Sequence, residues 1–275
     1  LFVVPLVAFP SKRTVPTNVA LSANASDVTA GYAAAPRCED DSSSAPIADR
    51  QLLVQLEGNS IAGEIRNCLR GILDQRGATL EGVNPPGFLL CDAAPAIRKQ
   101  TLDPKTKPDA AILFVFVAYD NRCGSPWHAT VDELIAMWKK AGVHVYLVPS
   151  VPFVPGTPQA DQMAPGPLQE AEYYKQRADA DPQHITLLDA GAFLRDTNGE
   201  YVWRMPCVAG GEPGCDPATK TVGVRYVDGL HFCTDADFAA HGCVGAGNQA
   251  GERRAAAAVA SGLISSLQTR LSGAG

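Results

Sequence analysis

Short apolar runs alternate with longer amphipathic stretches along the chain from residue 51 onward. The runs have the length of strands, and the stretches between them have the length and spacing of helices. Strands joined by helical crossovers form a parallel sheet that is covered on both faces. The pattern therefore predicts one α/β domain, a three-layer α/β/α sandwich around a central parallel sheet of about five strands. The predicted strands are residues 52–56, 78–83, 111–118, 143–148 and 184–188, and the predicted helices are residues 61–75, 130–141, 167–180 and 252–271.

The first 50 residues do not share this pattern. Residues 1–9 are almost all apolar and are followed by Lys12 and Arg13. Nine apolar residues are fewer than the about 20 that a membrane-spanning helix needs. Two interpretations of residues 1–9 stay open: the apolar part of a signal peptide or membrane anchor, or an apolar arm packed on the protein. Residues 14–49 are rich in Ser, Ala, Thr, Pro and Asp and indicate a linker. We therefore expect an N-terminal segment with a linker, residues 1–50, and one domain, residues 51–275.

The composition is that of a folded protein. Of the 275 residues, 46% are hydrophobic and 19% are charged, which allows a buried core and excludes a disordered or fibrous chain. The formal net charge is −6 and the sequence contains no Lys/Arg-rich run. Because a phosphate backbone must be met by clustered cations, this charge argues against a nucleic-acid partner. A small molecule, a glycan, a lipid or a protein is the expected partner.

The cysteines are even in number, spread over the whole chain, and never form a Cys-x-x-Cys pair. This usage is typical of disulfides made in an oxidising compartment. We therefore expect a secreted or extracytoplasmic protein, of the periplasm or cell envelope. The cysteines expected to form disulfides are Cys38, Cys68, Cys91, Cys123, Cys207, Cys215, Cys233 and Cys243.

The first predicted strand is followed by a turn that brings a serine to the start of a helix. Residues 57–61 read Glu-Gly-Asn-Ser-Ile, and the reactive groups of a parallel sheet collect after the carboxyl ends of its strands. Ser60 is expected beside free backbone N–H groups, which favour negative charge and stabilise an oxyanion. The alternative is an ordinary N-cap serine, which the same position favours.

A second candidate lies just before the last predicted helix, where Asp228 precedes His231 by three residues. An aspartate so placed orients an imidazole and stabilises its protonated form, as the general base of a serine nucleophile requires. Alone, such a pair is more often a satisfied polar turn. Together with Ser60, it indicates nucleophilic catalysis.

These blocks resemble the SGNH, or GDSL, hydrolase superfamily over almost the whole predicted domain. Its Gly-Asp-Ser block corresponds to residues 58–60, and its Asp-x-x-His block corresponds to residues 228–231. The chain is most similar to an exported actinobacterial subset, which is stand-alone or fused to membrane acyltransferases. That subset has three further segments. A Leu-Leu-Asp segment corresponds to residues 187–189 of this chain, and a Gly-x-Tyr segment corresponds to residues 199–201. A Val-Arg-x-Asp-Gly-x-His-Phe segment corresponds to residues 224–232, where this chain has one extra residue. The resemblance implies a flavodoxin-like SGNH hydrolase fold.

The resemblance also implies a covalent serine mechanism. Ser60 is then the nucleophile, His231 the general base, and Asp228 the residue that orients the imidazole. Water as the second nucleophile makes an esterase, and a sugar hydroxyl makes an O-acyltransferase. The expected function is therefore that of an exported serine esterase or O-acyltransferase acting on an ester of a carbohydrate or lipid of the cell envelope. We expect no cofactor, no resident metal and no nucleic acid. Membrane anchoring through the N-terminal segment remains one of the two open interpretations of residues 1–9.

The remaining site residues follow from the weaker blocks of the resemblance. Gly87 is expected to supply an oxyanion-hole N–H together with Ser60. The third block lacks its glycine and carries its asparagine one place late, at Asn121, the third oxyanion candidate. Asparagine stands at position 59 where the family has aspartate, which keeps hydrogen-bonding reach and loses the charge. The expected substrate-binding residues are Asn59, Asp120 and Arg122.

A metal site is one alternative from another class. The sequence contains two His-x-Cys pairs, His231 with Cys233 and His241 with Cys243. Their two imidazoles and two thiolates could bind a zinc ion tetrahedrally. The competing and favoured interpretation is a disulfide between Cys233 and Cys243, because the spacing matches no familiar zinc signature. A disulfide between Cys207 and Cys215 is expected on the same grounds.

The other alternative is a catalytically impaired module that keeps the fold and binds a cell-envelope glycan or a protein partner. It is motivated by Asn59 and by the altered third block, since function belongs to a site and not to a fold. In either case we expect most of the disulfides to hold the loops at the catalytic face. Reduction is then expected to abolish activity before it unfolds the sheet.

Overall fold

The computed structural model describes residues 45–82, 89–115, 126–157, 165–208, 212, 214–225, 229–232 and 250–273 of the chain. Strands and helices alternate along the chain as far as the fifth strand. The strands are β1 (Leu52–Gly58), β2 (Ala78–Glu81), β3 (Ala110–Phe114), β4 (His144–Leu147), β5 (Ile185–Leu187), β6 (Arg204–Pro206) and β7 (Thr221–Gly223). The helices are α1 (Ser60–Gln75), α2 (Leu90–Leu102), α3 (Trp127–Lys140), α4 (Pro165–Ala180) and α5 (Ala250–Ser272).

The first five strands form one parallel sheet in the order β2-β1-β3-β4-β5. This is the flavodoxin-like order of doubly wound α/β folds, in which the chain reverses direction across the sheet between β1 and β3. Such reversal points leave a crevice at the carboxyl ends of the strands, because the two connecting helices lie on opposite faces. The predicted α/β class and the sheet of about five parallel strands are confirmed.

Side chains of the central strands alternate between two buried cores. In β3, Ile112 and Phe114 pack into one core, and Ala111 and Leu113 pack into the other. The first core is closed by α1 and α5, and the second is closed by α2, α3 and α4. All five residues of β3 are buried, which explains why the strand is a continuous apolar run instead of an alternating one.

Two parts of the fold were not predicted. Helix α2 contains Pro95 in its interior, and proline removes a backbone donor that an unbroken helix uses, so the local pattern did not favour a helix. Strands β6 and β7 pair in a small antiparallel sheet, and three residues each are too few for alternation to show. Several predicted strands were also too long, because apolar residues such as Val148 stay buried beyond the end of the hydrogen-bonded ladder.

The described part of the chain already packs on the domain before residue 51. Ile47 is buried in the first core, and its backbone N–H donates to the carbonyl of Arg76 at 2.9 Å. Residues 1–44, which hold the predicted apolar segment and most of the linker, lie outside the described residues. Across the ranges that the structure describes, no helix is both long and apolar enough to cross a membrane.

One predicted disulfide is present between Cys207 and Cys215. It closes the connection from β6 to β7. Cys68 and Cys91 each take part in a disulfide as well. The connection from β6 to β7 is also attached to α5, because the buried Arg254 of α5 pairs with Glu212 of the connection at 2.7 Å. The other cysteines of the predicted set, Cys38, Cys123, Cys233 and Cys243, lie outside the described residues.

The last residue of β1 is a glycine because two backbones come very close there. A Cβ atom on Gly58 would lie 2.1 Å from the carbonyl oxygen of Phe114 and 2.4 Å from the Cβ of Ala62. Neither neighbour can move easily, since one belongs to the ladder of β3 and the other to the first turn of α1. Gly58 therefore allows the tight passage from strand to helix that places residue 60.

We expect Gly58→Ala to lower the free energy of unfolding by about 3 kcal/mol or more, because the added methyl group overpacks a site that cannot relax. Gly142→Ala is the control: it has open space but a φ of +74°, so only the conformational cost of about 1–2 kcal/mol applies. Urea unfolding followed by circular dichroism measures both. Equal unfolding midpoints for Gly58→Ala and the unsubstituted protein would contradict this account of the turn.

Candidate active site

Ser60 is the first residue of α1 and follows directly from the end of β1. Asn59 is the N-cap in an extended conformation, and its carbonyl accepts the N–H of Gly63 at 3.0 Å. The N–H groups of the first helical turn have no carbonyl partner within the helix. They carry partial positive charge at the carboxyl edge of the sheet. The serine hydroxyl therefore lies beside donors that suit a developing anion.

His231 lies next to Ser60, although the two residues come from opposite ends of the domain sequence. The Oγ of Ser60 and the Nε2 of His231 are 2.8 Å apart, across 171 residues of sequence. Both side chains are partly exposed, while Leu230 and Phe232 on either side of the histidine are buried. A hydroxyl at this distance from an imidazole nitrogen can transfer its proton directly as the oxygen attacks.

Position 229, two residues before His231, is a glycine for a backbone reason. Gly229 has a φ of +74°, and a Cβ there would lie 2.9 Å from the side chain of Thr157. Its carbonyl accepts the N–H of Val154 at 3.0 Å. Glycine adopts this left-handed conformation without a steric cost. The turn thus rests on the segment that follows β4, at the same edge of the sheet as Ser60.

Arg225 is buried beneath the same turn and stabilises it through hydrogen bonds. Its side chain is 1% exposed, and its guanidinium donates to the carbonyl of Leu230 at 2.5 Å and to that of Pro152 at 3.1 Å. The guanidinium also lies 5.0 Å from the ring centre of Phe232 and 5.9 Å from that of Tyr201. A planar cation with several donors suits this place, because it satisfies two carbonyls and stacks on aromatic faces at once.

Three separate sequence segments meet around this arginine. Asp189 after β5 pairs with Arg195 at 2.7 Å, and the Nε of Arg195 donates to the hydroxyl of Tyr201 at 3.0 Å. Burial, with the nearby Asp189, raises the pKa of Tyr201 to about 12, so its hydroxyl keeps its proton even at a pH where a free tyrosine would lose it. Tyr201 in turn lies against Arg225. The Leu-Leu-Asp, Gly-x-Tyr and Val-Arg segments of the sequence are therefore parts of one support for the histidine turn.

Glu64 reaches the histidine turn from α1. Its Oε2 accepts the backbone N–H of Phe232 at 2.9 Å, across 168 residues of sequence. Sequence reasoning missed this residue. The available signal was its spacing, since residues four apart on a helix lie on one face and Glu64 follows Ser60 by four. Arg195 was missed too, because it lies in none of the sequence blocks, although it is only six residues from Tyr201 and forms an antiparallel bridge with it.

The structure leaves several predicted site residues unassigned. Asn59 is described, and its side chain is only 6% exposed, which favours ordering the turn over the predicted contact with substrate. The residues that lie outside the described ranges are Gly87, Asp120, Asn121, Arg122 and Asp228. The predicted zinc alternative also involves positions outside these ranges. Among the described residues, no cluster of three or more His, Cys, Asp or Glu side chains is arranged to hold a metal ion.

Comparison with known proteins gives similarities among solved structures alone. No protein-family model and no curated protein matches the chain. The chain is similar to a candidate SGNH hydrolase from Slackia heliotrinireducens, at 17% identity over 78% of this chain and 100% of that chain, with a TM-score of 0.49. It is similar to the C-terminal catalytic domain of peptidoglycan O-acetyltransferase A (OatA) from Streptococcus pneumoniae, at 15% identity over 80% of this chain and 96% of that chain, with a TM-score of 0.48.

A third similar structure is a GDSL-like lipase from Bacteroides thetaiotaomicron, at 11% identity over 78% of this chain and 88% of that chain, with a TM-score of 0.49. The three similar structures are thus described as an SGNH hydrolase, an O-acetyltransferase domain and a GDSL-like lipase. The function proposed below rests on the residues of this chain.

We expect Arg225→Met to lower the free energy of unfolding by about 2–4 kcal/mol, because the buried carbonyls of Leu230 and Pro152 lose their charged donor. The control is Arg50→Met, which breaks an exposed pair with Asp109 and costs less than about 1 kcal/mol. Chemical denaturation compares the two. A similar small loss for both variants would show that Arg225 does not support the turn.

Proposed function

We propose that the protein is an extracytoplasmic serine hydrolase or acyltransferase of the SGNH type, which acts on an acyl ester of a carbohydrate or lipid. The observation that carries the proposal is the distance of 2.8 Å between the Oγ of Ser60 and the Nε2 of His231. The disulfide of Cys207 with Cys215 supports the extracytoplasmic part, because such bonds persist in oxidising compartments.

The mechanism follows from the position of the two side chains. As Ser60 Oγ attacks the ester carbonyl, His231 takes the hydroxyl proton, and a C–O bond forms to give a tetrahedral oxyanion. The backbone N–H of Ser60, at the start of α1, is proposed to donate to this charge. An oxyanion donor contributes about 3–4 kcal/mol. When the intermediate collapses, the bond to the leaving alcohol breaks and His231 returns the proton to that alcohol. The product of this half-reaction is an acyl-serine.

The second half-reaction repeats these steps with a new nucleophile. His231 removes a proton from water or from a sugar hydroxyl, the oxygen attacks the acyl-serine, and Ser60 leaves with the proton that His231 returns. Asp228 is proposed to hold the imidazole in the tautomer that accepts at Nε2. Gly87 and Asn121 are proposed as further oxyanion donors, and Asp120 and Arg122 as groups that contact the substrate.

A second candidate function is a module that binds a cell-envelope glycan or protein without turnover. It is motivated by one feature of the site: the residue before Ser60 is Asn59, an uncharged amide where the family that the blocks resemble has aspartate. A protein that binds a polysaccharide but never hydrolyses an ester would support this candidate.

Ser60→Ala is expected to reduce the hydrolysis of a short-chain aryl ester at least about 1,000-fold, because the covalent path is lost. The control is Ser261→Ala, which removes an exposed hydroxyl from α5 and should leave the rate unchanged. Steady-state kinetics at matched protein concentration compares them. If Ser60→Ala keeps the rate of the unsubstituted protein, Ser60 is not the nucleophile.

The double variant Cys207→Ser/Cys215→Ser is expected to lose ester hydrolysis under conditions in which the far-ultraviolet circular dichroism of the sheet persists. The reason is that the bridged connection leads through β7 directly to Arg225 and the histidine turn. The measurement follows activity and ellipticity together along a urea series. Loss of both signals at one urea concentration would contradict the expected order of events.

A further inference from the structure

We propose that Glu64 is a positioning residue for the general base, and that it acts by fixing the backbone of the histidine turn against the helix that carries the nucleophile. This inference rests on the proposed function, in which His231 serves Ser60. It concerns a residue that makes no part of the Ser-His-Asp set and that the sequence motifs do not contain.

The first step is the place of Glu64 on α1. Ser60 and Glu64 are four residues apart on one helix, so their side chains project from the same face, about one turn from each other. A helix is rigid over one turn. Any group that Glu64 holds is therefore held at a fixed offset from Ser60.

The second step is what Glu64 holds. Its carboxylate accepts the N–H of the peptide that joins His231 to Phe232, with a distance of 2.9 Å from N to Oε2. Phe232 itself is fully buried. A hydrogen bond from a backbone N–H to a carboxylate is stronger than one between neutral groups, so this peptide plane is firmly oriented.

The third step concerns the peptide on the other side of the histidine. The carbonyl of Leu230, which belongs to the peptide joining Leu230 to His231, accepts from the guanidinium of Arg225 at 2.5 Å. The two peptide planes that flank the Cα of His231 are thus each held by a charged side chain. Since φ and ψ of His231 are the rotations of these two planes, the pair fixes its backbone and leaves only the two side-chain torsions.

The consequence is a preorganised base. An imidazole on an irregular turn has no strand or helix ladder to keep it in place, and a displacement of about 1 Å costs up to about 100-fold in rate. Glu64 links the turn to α1, so movement of the histidine backbone relative to Ser60 requires breaking a charge-assisted hydrogen bond. Arg225 links the same turn to the segment after β4.

The test compares three substitutions of Glu64 with a control on the same helix. Glu64→Gln keeps an acceptor oxygen at the same reach, Glu64→Asp keeps the charge but is one methylene shorter, and Glu64→Ala removes both. The control, Asp74→Ala, deletes an exposed carboxylate near the far end of α1. Sites are counted by fluorophosphonate titration, so that kcat refers to folded, competent protein.

We expect kcat for an aryl ester to fall about 10- to 100-fold in Glu64→Ala and Glu64→Asp, with KM within about threefold. Glu64→Gln should keep at least a third of kcat, and Asp74→Ala should match the unsubstituted protein. A residue that only stabilised the fold would change the number of titrated sites and leave kcat per site alone. Unchanged kcat per site in Glu64→Ala, or an equal loss in Glu64→Gln, would overturn the proposal.

A second measurement does not depend on turnover. Hydrogen exchange of the Phe232 amide should be at least about tenfold faster in Glu64→Ala than in Glu64→Gln, because only the first loses the acceptor. If the Phe232 amide exchanges at the same rate in Glu64→Ala and in the unsubstituted protein, Glu64 does not protect that amide. The proposal then fails, whatever the activity of the variant. If exchange behaves as expected but the unsubstituted protein neither hydrolyses esters nor reacts with the fluorophosphonate, the proposed function fails. Should Glu64→Ala not fold, Glu64→Asp provides both readouts.

Discussion

The described residues of the turn that carries His231, 229–232, lie in no strand or helix, and the buried guanidinium of Arg225 lies against them. Taking the Arg225 guanidinium out of water costs several kcal/mol. That cost is offset by two carbonyl acceptors and by the faces of Phe232 and Tyr201. Because these partners come from three different parts of the chain, the arginine joins the histidine turn to the sheet edge. The short distance between His231 and Ser60 depends on that attachment.

The large elements of the fold could be predicted because each has a periodicity of its own. The five parallel strands and the helices α1, α3, α4 and α5 appear in the sequence as apolar runs and amphipathic stretches close to their observed bounds. Helix α2 was missed because Pro95 lies inside it, and β6 and β7 were missed because they are three residues long. Their formation depends on tertiary packing, which local pattern does not record.

The candidate site divides in the same way. Ser60 and His231 could be found because each lies in a short block whose residue types suit the chemistry, and the structure brings the two side chains together. Glu64 could not be found from the blocks, because the backbone N–H that it contacts lies 168 residues away in sequence. Arg195 lies only six residues from Tyr201 and from Asp189, but it belongs to none of the blocks. Their roles depend on distances that only the folded chain defines. Residues that support a candidate site are therefore harder to predict than the residues of its sequence blocks.

The arrangement gives a consistent physical account of the site. Gly58 permits a sharp passage from β1 to α1, α1 presents the serine with its free N–H groups, and the held turn presents the imidazole. The most direct test is a crystal structure of the protein after reaction with a fluorophosphonate. The account predicts phosphorus bonded to Ser60 Oγ, with the His231 ring within hydrogen-bond distance of the adduct. A phosphonate on another residue, or a His231 ring turned away from an adduct on Ser60, would contradict it.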